Sequence, residues 1–208
     1  MRSNPSPPSE LALVLAVDVS ASVDRDEFGL MVEGLALAWR DARLHAALPA
    51  AGLAVAVLYW SEAQEVALPW RRIAAPAEAE ALAEALSATP RLPAAGATAL
   101  GEALAAALRL LAACPWPARR AAVDVSGDGR SNRGRPPAPL RDLAAASGVA
   151  INALAVLNEE PDLLGYMEEE VIGGPGAFAM ACPDYAAFAE AMLRKLLREM
   201  APAPPGIA

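Results

Sequence analysis

The sequence predicts an α/β fold of the doubly wound kind: a mostly parallel six-stranded sheet with helices on both faces and one antiparallel edge strand. Three observations lead to this prediction. Short apolar runs alternate with longer segments of helical periodicity, which is typical of strand–helix–strand units. Several apolar runs are continuous, as expected for strands that are covered on both faces. Pro69 lies in one short run and places that strand at an edge of the sheet.

The first strand, the first helix and the second strand follow one another closely. Leu11–Val17 is an apolar run that predicts a buried strand. Asp24, with Glu27 three residues later, forms a capping-box pattern that begins a helix running to about Arg43. Leu53–Trp60 is apolar throughout and predicts a second buried strand.

The same alternation continues to the end of the chain. The run at 65–70 predicts an edge strand that forms a hairpin with its predecessor, which makes this pair antiparallel. We expect a single domain over residues 9–200. A lead-in over residues 1–8, which we expect to be flexible, precedes it, and a Pro-rich tail over 201–208 follows it. The later strands are predicted over 119–126, 149–157 and 177–182, and the later helices over 76–87, 99–113, 139–146, 161–171 and 184–200.

Composition sets limits on what the domain does. With 208 residues, 55% of them hydrophobic and 20% charged, the chain is globular and long enough for one sizeable core. The net charge of −8 argues against nucleic acid as a partner, since phosphates require a basic surface. No apolar run approaches the roughly 18 residues of a membrane span. Cys114 and Cys182 lack metal-type spacing, and the sequence leaves open whether they form a disulfide.

The N-terminal region lacks the pattern of an export signal. The apolar run Leu11–Val17 is short for a signal peptide, and no small-x-small cleavage site precedes Asp18. We therefore expect the chain as written to be cytoplasmic. A leader that has been removed would make the protein periplasmic or secreted instead. The oligomeric state stays open at this stage.

Oxygen-bearing side chains occur where the predicted sheet brings strand ends together. Asp18, Ser20 and Ser22 follow the first strand at spacing i, i+2 and i+4. Thr98 lies in the loop before a helix, and Asp128 follows the strand predicted over 119–126. Ligands bind beyond the carboxyl ends of parallel strands, where the strand order reverses, so we expect these five side chains to converge.

Two carboxylates and three hydroxyls make a set of hard oxygen ligands. Such ligands favour Mg²⁺, with Mn²⁺ or Ca²⁺ as alternatives, over zinc or copper. The two carboxylates balance a divalent cation and the hydroxyls are neutral, so water or an acidic side chain of a partner can complete the shell. The sequence therefore predicts a metal site that binds rather than catalyses.

This set of residues resembles the metal-ion-dependent adhesion site of von Willebrand factor A (vWA) domains. That site combines a DxSxS motif, a threonine in the middle of the domain and an Asp-Gly after the fourth strand. Asp18, Ser20, Ser22, Thr98 and Asp128 match it in order, and the resemblance extends over about residues 9–200.

Three longer segments resemble, more narrowly, a bacterial subfamily of vWA-like domains of unknown function. They begin Asp-Val-Ser-Ala-Ser at Asp18, Val-Asp-Val-Ser-Gly-Asp-Gly at Val123, and Val-Ile-Gly-Gly-Pro-Gly at Val171. Members of that subfamily often begin with a signal peptide, and this chain departs from them there.

The resemblance implies a divalent-metal-dependent protein-binding module. A partner protein would present an Asp or Glu side chain to complete the ion. Arg130, Asn132 and Arg133 follow the site in sequence and form a loop that we predict to contact such a partner.

Two other functions compete with this interpretation. Gly127-Asp128-Gly129 resembles a motif of haloacid-dehalogenase-like phosphatases, whose chemistry needs an acid/base Asp two residues after the nucleophile and a lysine. Ser20 occupies that position here, and the only lysine, Lys195, lies in the predicted final helix. We therefore expect no enzymatic activity. The third alternative is a structural subunit whose site has lost its function.

Overall fold

A computed structural model describes residues 8–201, and within that range strands and helices alternate as predicted. The strands are β1 (Ser9–Asp18), β2 (Leu53–Trp60), β3 (Gln64–Ile73), β4 (Ala118–Gly127), β5 (Val149–Val156) and β6 (Ala179–Cys182). The helices are α1 (Arg25–Arg40), α2 (Ala42–Ala47), α3 (Pro76–Ser87), α4 (Leu100–Ala112), α5 (Ala138–Ala146), α6 (Leu163–Tyr166) and α7 (Phe188–Met200).

All six strands form one sheet in the order β3-β2-β1-β4-β5-β6. β1 pairs in parallel with both β2 and β4, and β5 pairs in parallel with β4 and β6. β2 and β3 are antiparallel, so β3 is the antiparallel edge strand that Pro69 predicted. The doubly wound, mostly parallel sheet is confirmed.

Helices cover both faces of this sheet, and alternate residues of β1 show why. Leu13, Leu15 and Val17 pack into a core formed with α1, α2, α3 and α7. Val14 and Ala16 point the other way, into a second core formed with α4, α5 and α6. Because β1 is buried on both sides, its sequence is a continuous apolar run rather than an alternating one.

Three predicted helices differ in the structure, and the one predicted over 184–200 begins as a 3-10 turn, Tyr185–Ala187, before α7 starts at Phe188. The first helix ends at Arg40, because Asp41 takes an extended conformation and its side chain accepts a hydrogen bond from the Arg43 backbone N–H, which begins α2. The helix predicted over 161–171 is α6 followed by a π-helical turn, Met167–Val171.

The remaining predictions concern the ends of the chain and the cysteines. The lead-in over 1–8 and the tail over 201–208 fall almost entirely outside the described residues. Cys114 and Cys182 are both free thiols, and Cys182 is buried. None of the helices within 8–201 combines the length and the apolar character needed to cross a bilayer.

The sheet topology determines where the candidate site lies. The chain leaves β1 toward β2 on one side, while β4 lies on the other, so strand order reverses beside β1. Val17 of β1 is opposite Ser126 of β4 in the parallel register. Asp18, the last residue of β1, and Asp128, which follows β4, therefore lie side by side at the carboxyl edge.

Candidate metal centre

The loop after β1 folds back on the carboxylate of Asp18. Oδ1 of Asp18 accepts a hydrogen bond of 2.7 Å from the backbone N–H of Ser20, which is a local Asx-type turn. This turn brings the hydroxyls of Ser20 and Ser22 to 3.1 Å from each other. Asp18 and Ser20 are fully buried, and Ser22 is half-buried, so the group opens to solvent on the Ser22 side.

The other two predicted ligands join the same group. Ser22 Oγ donates a 2.6 Å hydrogen bond to Oδ1 of Asp128, although the two residues are 106 positions apart in the chain. Thr98 Oγ1 lies 3.4 Å from Ser20 Oγ and donates to it. The structure thus brings together all five side chains that the sequence predicted as ligands.

Backbone contacts hold the Thr98 loop against its neighbours. The Ala21 N–H donates to the Gly96 carbonyl at 2.9 Å, which ties this loop to the one after β1. Oδ1 of Asn132 accepts from the Thr98 N–H at 2.9 Å, and the Asn132 N–H donates to the Thr98 carbonyl at the same distance. Asn132 therefore fixes Thr98 on the other side.

Arg91 is a second support, and no sequence pattern predicted its role. Its Nη2 donates to the carbonyl oxygens of Val19 at 3.1 Å and Ser20 at 2.9 Å, and also to that of Val23. Nη1 reaches the Asp24 carbonyl at 3.3 Å. One guanidinium group thus binds four carbonyls of the loop after β1.

Burial of the two carboxylates raises the pKa of both Asp18 and Asp128. Burial, together with the nearby charge of Asp128, raises the pKa of Asp18 to about 8, although the hydrogen bonds of Ser20 and the charge of Arg91 oppose the shift. Burial also raises the pKa of Asp128, and the neighbouring hydroxyls of Ser22 and Tyr185 oppose this shift. Two carboxylates enclosed together favour protonation unless a cation joins them.

The unpaired atoms fit a bound cation. Oδ2 of Asp18 and Oδ2 of Asp128 are both buried and have no hydrogen-bond partner among the described residues. Buried carboxylate oxygens are normally paired, and unpaired ones require an explanation such as an ion. No three His, Cys, Asp or Glu side chains converge within residues 8–201, so hydroxyls would have to supply the remaining protein ligands.

Gly127 makes room for this arrangement. A Cβ atom at this position would lie 2.8 Å from Oδ2 of Asp18 and 3.2 Å from its Cβ. Because β1 and β4 are adjacent, any larger residue at the end of β4 would push the Asp18 carboxylate out of place. The sequence alone indicated only a turn glycine here.

The loop predicted to contact a partner is largely occupied by internal contacts. Arg130 forms an ion pair of 3.1 Å with Glu160 and a second one with Asp162. Arg133 lies 3.2 Å from Glu62. Asn132 is engaged with Thr98, as described above. The guanidinium charges of this loop are therefore balanced by acidic residues, and its role as a contact surface stays a prediction.

Tyr185 also borders the site without having been predicted. It begins a short 3-10 turn after β6, and its buried hydroxyl has no hydrogen-bond partner among residues 8–201. Burial raises its pKa, and the charges of Asp128 and Asp18 raise it further. A single tyrosine is a weak sequence signal of a functional site, because most buried tyrosines belong to the core.

Solved structures with the same fold are numerous, and three illustrate the class. A von Willebrand factor type A protein from Catenulispora acidiphila superposes with a TM-score of 0.68 and 22% identity over 92% of this chain and 43% of its own. Proximal thread matrix protein 1 from the mussel byssus, solved with a zinc-occupied MIDAS motif, gives 0.66, with 14% identity over 93% of this chain and 48% of its own.

The third is the pilus adhesin SpaC from Lactobacillus rhamnosus GG, with a TM-score of 0.67 and 15% identity over 94% of this chain and 31% of its own. The chain thus spans less than half the length of each of these proteins. Together the three comparisons show that this chain has the fold of vWA domains.

The family is shown by sequence. The family model described as "Protein of unknown function (DUF1194)" matches residues 8–204, and the chain belongs to that family. A comparison with curated proteins finds no match. The narrower resemblance seen in the sequence is confirmed.

Proposed function

We propose that this domain is a divalent-metal-dependent protein-binding module. Asp18, Ser20, Ser22, Thr98 and Asp128 would hold the ion at the carboxyl edge of the sheet. The observation that carries this proposal is the pair of buried, unpaired carboxylate oxygens, one on Asp18 and one on Asp128, beside three linked hydroxyls. A divalent cation would satisfy both oxygens and remove the repulsion between the two carboxylates.

We infer Mg²⁺ as the resident ion, with Mn²⁺ or Ca²⁺ able to replace it. The donor atoms are all hard oxygens, and neither a histidine nor a cysteine belongs to the described ligand set. The zinc named for the mussel protein supports a divalent ion in general. Two carboxylates neutralise the ion, so three neutral hydroxyls leave it able to attract one further anion.

The further anion in this proposal is an Asp or Glu side chain of a partner protein. Ser22 marks the half-exposed side of the ligand group, from which a partner can approach. An adhesin is among the proteins that share this fold, which supports a role in protein interaction. In this proposal the paired arginines Arg130 and Arg133 lie at the rim and exchange their present ion pairs for contacts with the partner.

We propose binding rather than catalysis for two reasons. Ser20 stands where phosphatase chemistry of the haloacid-dehalogenase type requires an acid/base carboxylate. Lys195, the only lysine of the chain, is buried with its Nζ 2.6 Å from Oδ1 of Asp124, so it serves the core. A buried, paired ammonium group is poorly placed to hold a phosphate.

Calorimetry on metal-free full-length chain tests the ion. A single Mg²⁺ or Mn²⁺ site is expected, abolished in Asp128→Ala and unchanged in the control Asp142→Ala, which removes an exposed acid from α5. Unchanged binding in Asp128→Ala would refute the assignment. Absence of any site in the wild-type chain would favour the structural-subunit alternative.

Capture experiments test the partner. Proteins retained by the wild-type chain with Mg²⁺, but neither with EDTA nor by Asp18→Ala, are the expected set. Replacement of acidic residues in such a partner by their amides should identify one Asp or Glu that is essential. Metal-dependent turnover of a generic phosphate ester, lost in Asp18→Asn, would instead establish the phosphatase alternative.

A further inference from the structure

A cavity of about 740 Å³, here called the basal cavity, lies at the end of the sheet opposite to the metal centre. Its walls come from the first residues of β4 and β5, the loop before β6 and the last turn of α7. Its volume is in the range of sites that bind small molecules. No step of the proposed function uses it.

The basal cavity has an apolar side. Leu11, Ala150, Pro175 and the ring of Phe178 contribute to its lining. Phe178 and Leu11 are themselves buried in the fold, so this part of the wall consists of packed side chains rather than exposed ones. A short hydrocarbon chain would find apolar contacts along this side.

The rim of the basal cavity carries a surplus of cations, although the whole chain is acidic. Arg119 and Arg120 both approach one carboxylate, that of Glu10, at 3.7 Å and 3.8 Å. Arg198 lies over the Phe178 ring, 3.9 Å from its centroid, and no carboxylate lies within ion-pair distance of it among the described residues. Arg119 and Arg120 therefore share one carboxylate, and Arg198 has none within ion-pair distance among the described residues.

One donor at this rim lacks an acceptor. Nε of Arg120 is buried and makes no hydrogen bond to any described residue, since its nearest carboxylate oxygen, on Glu10, is 3.8 Å away. Nη2 of the same group donates to the Glu199 carbonyl at 2.9 Å, which fixes the guanidinium plane. A buried guanidinium N–H without an acceptor indicates that a further acceptor is missing.

The acidic residue on the inner wall does not fill that role. Oε1 of Glu199 accepts a 2.7 Å hydrogen bond from Nδ2 of Asn152 and lies 3.6 Å from Nζ of Lys195. Its carboxylate is thus already engaged by Asn152 and Lys195. The positive charge of the rim remains available to a ligand.

We propose that the basal cavity binds a small organic anion, namely a carboxylate on a short aliphatic chain. The head group would accept hydrogen bonds from Arg120 and Arg198, and the chain would lie against Leu11 and Phe178. Arginine suits this role because its planar group recognises carboxylates through paired N–H donors. This site is independent of the metal and of any partner protein.

Calorimetry and thermal unfolding of the full chain with octanoate test the proposal, with octanol and octylammonium as neutral and cationic counterparts. Octanoate should bind at one site, and the two counterparts at least about tenfold more weakly, because a hydrogen bond to a charged group is worth at least one factor of ten. Arg198→Gln should weaken octanoate binding by a similar factor, and Arg198→Lys, which keeps the charge, by less.

Two control variants test whether octanoate binds in the basal cavity. Arg194→Gln, one turn earlier on α7 and exposed, removes an arginine that does not line the cavity, and it should leave octanoate binding unchanged. Asp18→Ala should also leave it unchanged, even though that variant loses the metal. Octanol binding as tight as octanoate, the same affinity in Arg198→Gln, or no octanoate binding at all would each overturn the proposal.

Discussion

Nη2 of Arg91 donates to the carbonyl oxygen of Ser20 at 2.9 Å, and the same atom also reaches the carbonyls of Val19 and Val23. Ser20 is at the same time a predicted metal ligand through its hydroxyl. The arginine thus holds the backbone of a residue whose hydroxyl contacts those of Ser22 and Thr98. It orients the loop after β1 before any ion is present and lowers the pKa of Asp18 through its charge.

Arg91→Lys should therefore weaken metal binding while the domain stays folded. A lysine keeps the charge, but its point-like ammonium group cannot reach four carbonyls at once. Loss of an outer support of this kind typically costs about 10- to 100-fold in metal affinity. Calorimetry with Mn²⁺ measures the change, and Arg194→Lys is the matched control. An unaltered dissociation constant in a folded Arg91→Lys variant would show that the contact serves stability alone.

Metal affinity should rise with pH and level off above about pH 8. Burial raises the pKa of Asp18 to about 8, so in the metal-free domain this carboxylate holds a proton at neutral pH, which an arriving cation must displace. Below that value we expect the apparent affinity to fall by up to about tenfold per pH unit. Titrations in buffers of different ionisation enthalpy would count the released proton. A constant affinity from about pH 6 to pH 8 would contradict the prediction.

Gly127→Ala should damage the metal centre through a single methyl group. The new Cβ would lie 2.8 Å from Oδ2 of Asp18, so the carboxylate or β4 must move. We expect at least about a tenfold loss of metal affinity and a stability cost of about 1–3 kcal/mol from overpacking.

Gly29→Ala is the control for the Gly127 variant. A Cβ on Gly29 meets nothing within 4 Å, and this residue lies inside α1. The substitution should stabilise the domain by about 0.5–1 kcal/mol, because glycine is unfavourable within a helix. If both alanine variants bind the metal alike, the space left by Gly127 is not what positions Asp18.

Asn132 should support the metal centre, whereas its neighbour Arg133 should contribute little to metal binding or stability. Asn132→Ala leaves the Thr98 N–H without its acceptor, which costs about 1–3 kcal/mol in stability and should weaken metal binding. Arg133→Gln removes only an exposed ion pair with Glu62 and should change stability by less than about 1 kcal/mol. Urea unfolding and metal titration on both variants test this. Reduced metal binding in Arg133→Gln would place that residue in the metal centre instead.

Lys195→Met should be strongly destabilising, and more so at high pH. The lysine is enclosed between Asp124 and Glu199, with Nζ 2.6 Å and 3.6 Å from their carboxylate oxygens. Removing one partner of a buried ion pair costs about 3–5 kcal/mol.

The pH dependence of that loss follows from the two remaining carboxylates. Burial raises the pKa of Asp124 and of Glu199, so both are readily protonated as pH falls, and the penalty of the uncompensated charge then shrinks. Urea unfolding of Lys195→Met at mildly acidic and at alkaline pH measures this. Destabilisation that is equal at both values would contradict the prediction.

The convergence of the five predicted metal ligands could be anticipated from the sequence, because each has an oxygen-bearing side chain and follows a recognisable strand or loop. The polarity of parallel strands then places Asp18 and Asp128 at one edge, and the structure brings both together with Thr98. Arg91 could not be found in this way. Its hydrogen bonds go to carbonyl groups, which every residue has, so no side-chain pattern marks the pairing.

Other departures have similar physical causes. Asp41 ends the first helix because its backbone is extended and its side chain caps the next helix, α2. The helical periodicity across 24–43 does not reveal this interruption. The requirement for Gly127 depends on how closely β1 and β4 approach, which is a tertiary distance. The balance of Arg130 by Glu160 and Asp162 likewise joins loops that are about 30 residues apart in the sequence.

The polarity of the sheet has a practical consequence for how the domain can be handled. Ser9, at the start of β1, donates to the Pro117 carbonyl just before β4, and Ala201 follows the last turn of α7 beside the basal cavity. Both ends of the described chain thus lie at the edge opposite to Asp18. A bead, a sensor surface or a fluorescent tag attached beyond Ser9 or Ala201 would therefore be joined to the domain at the edge opposite to the proposed ion site.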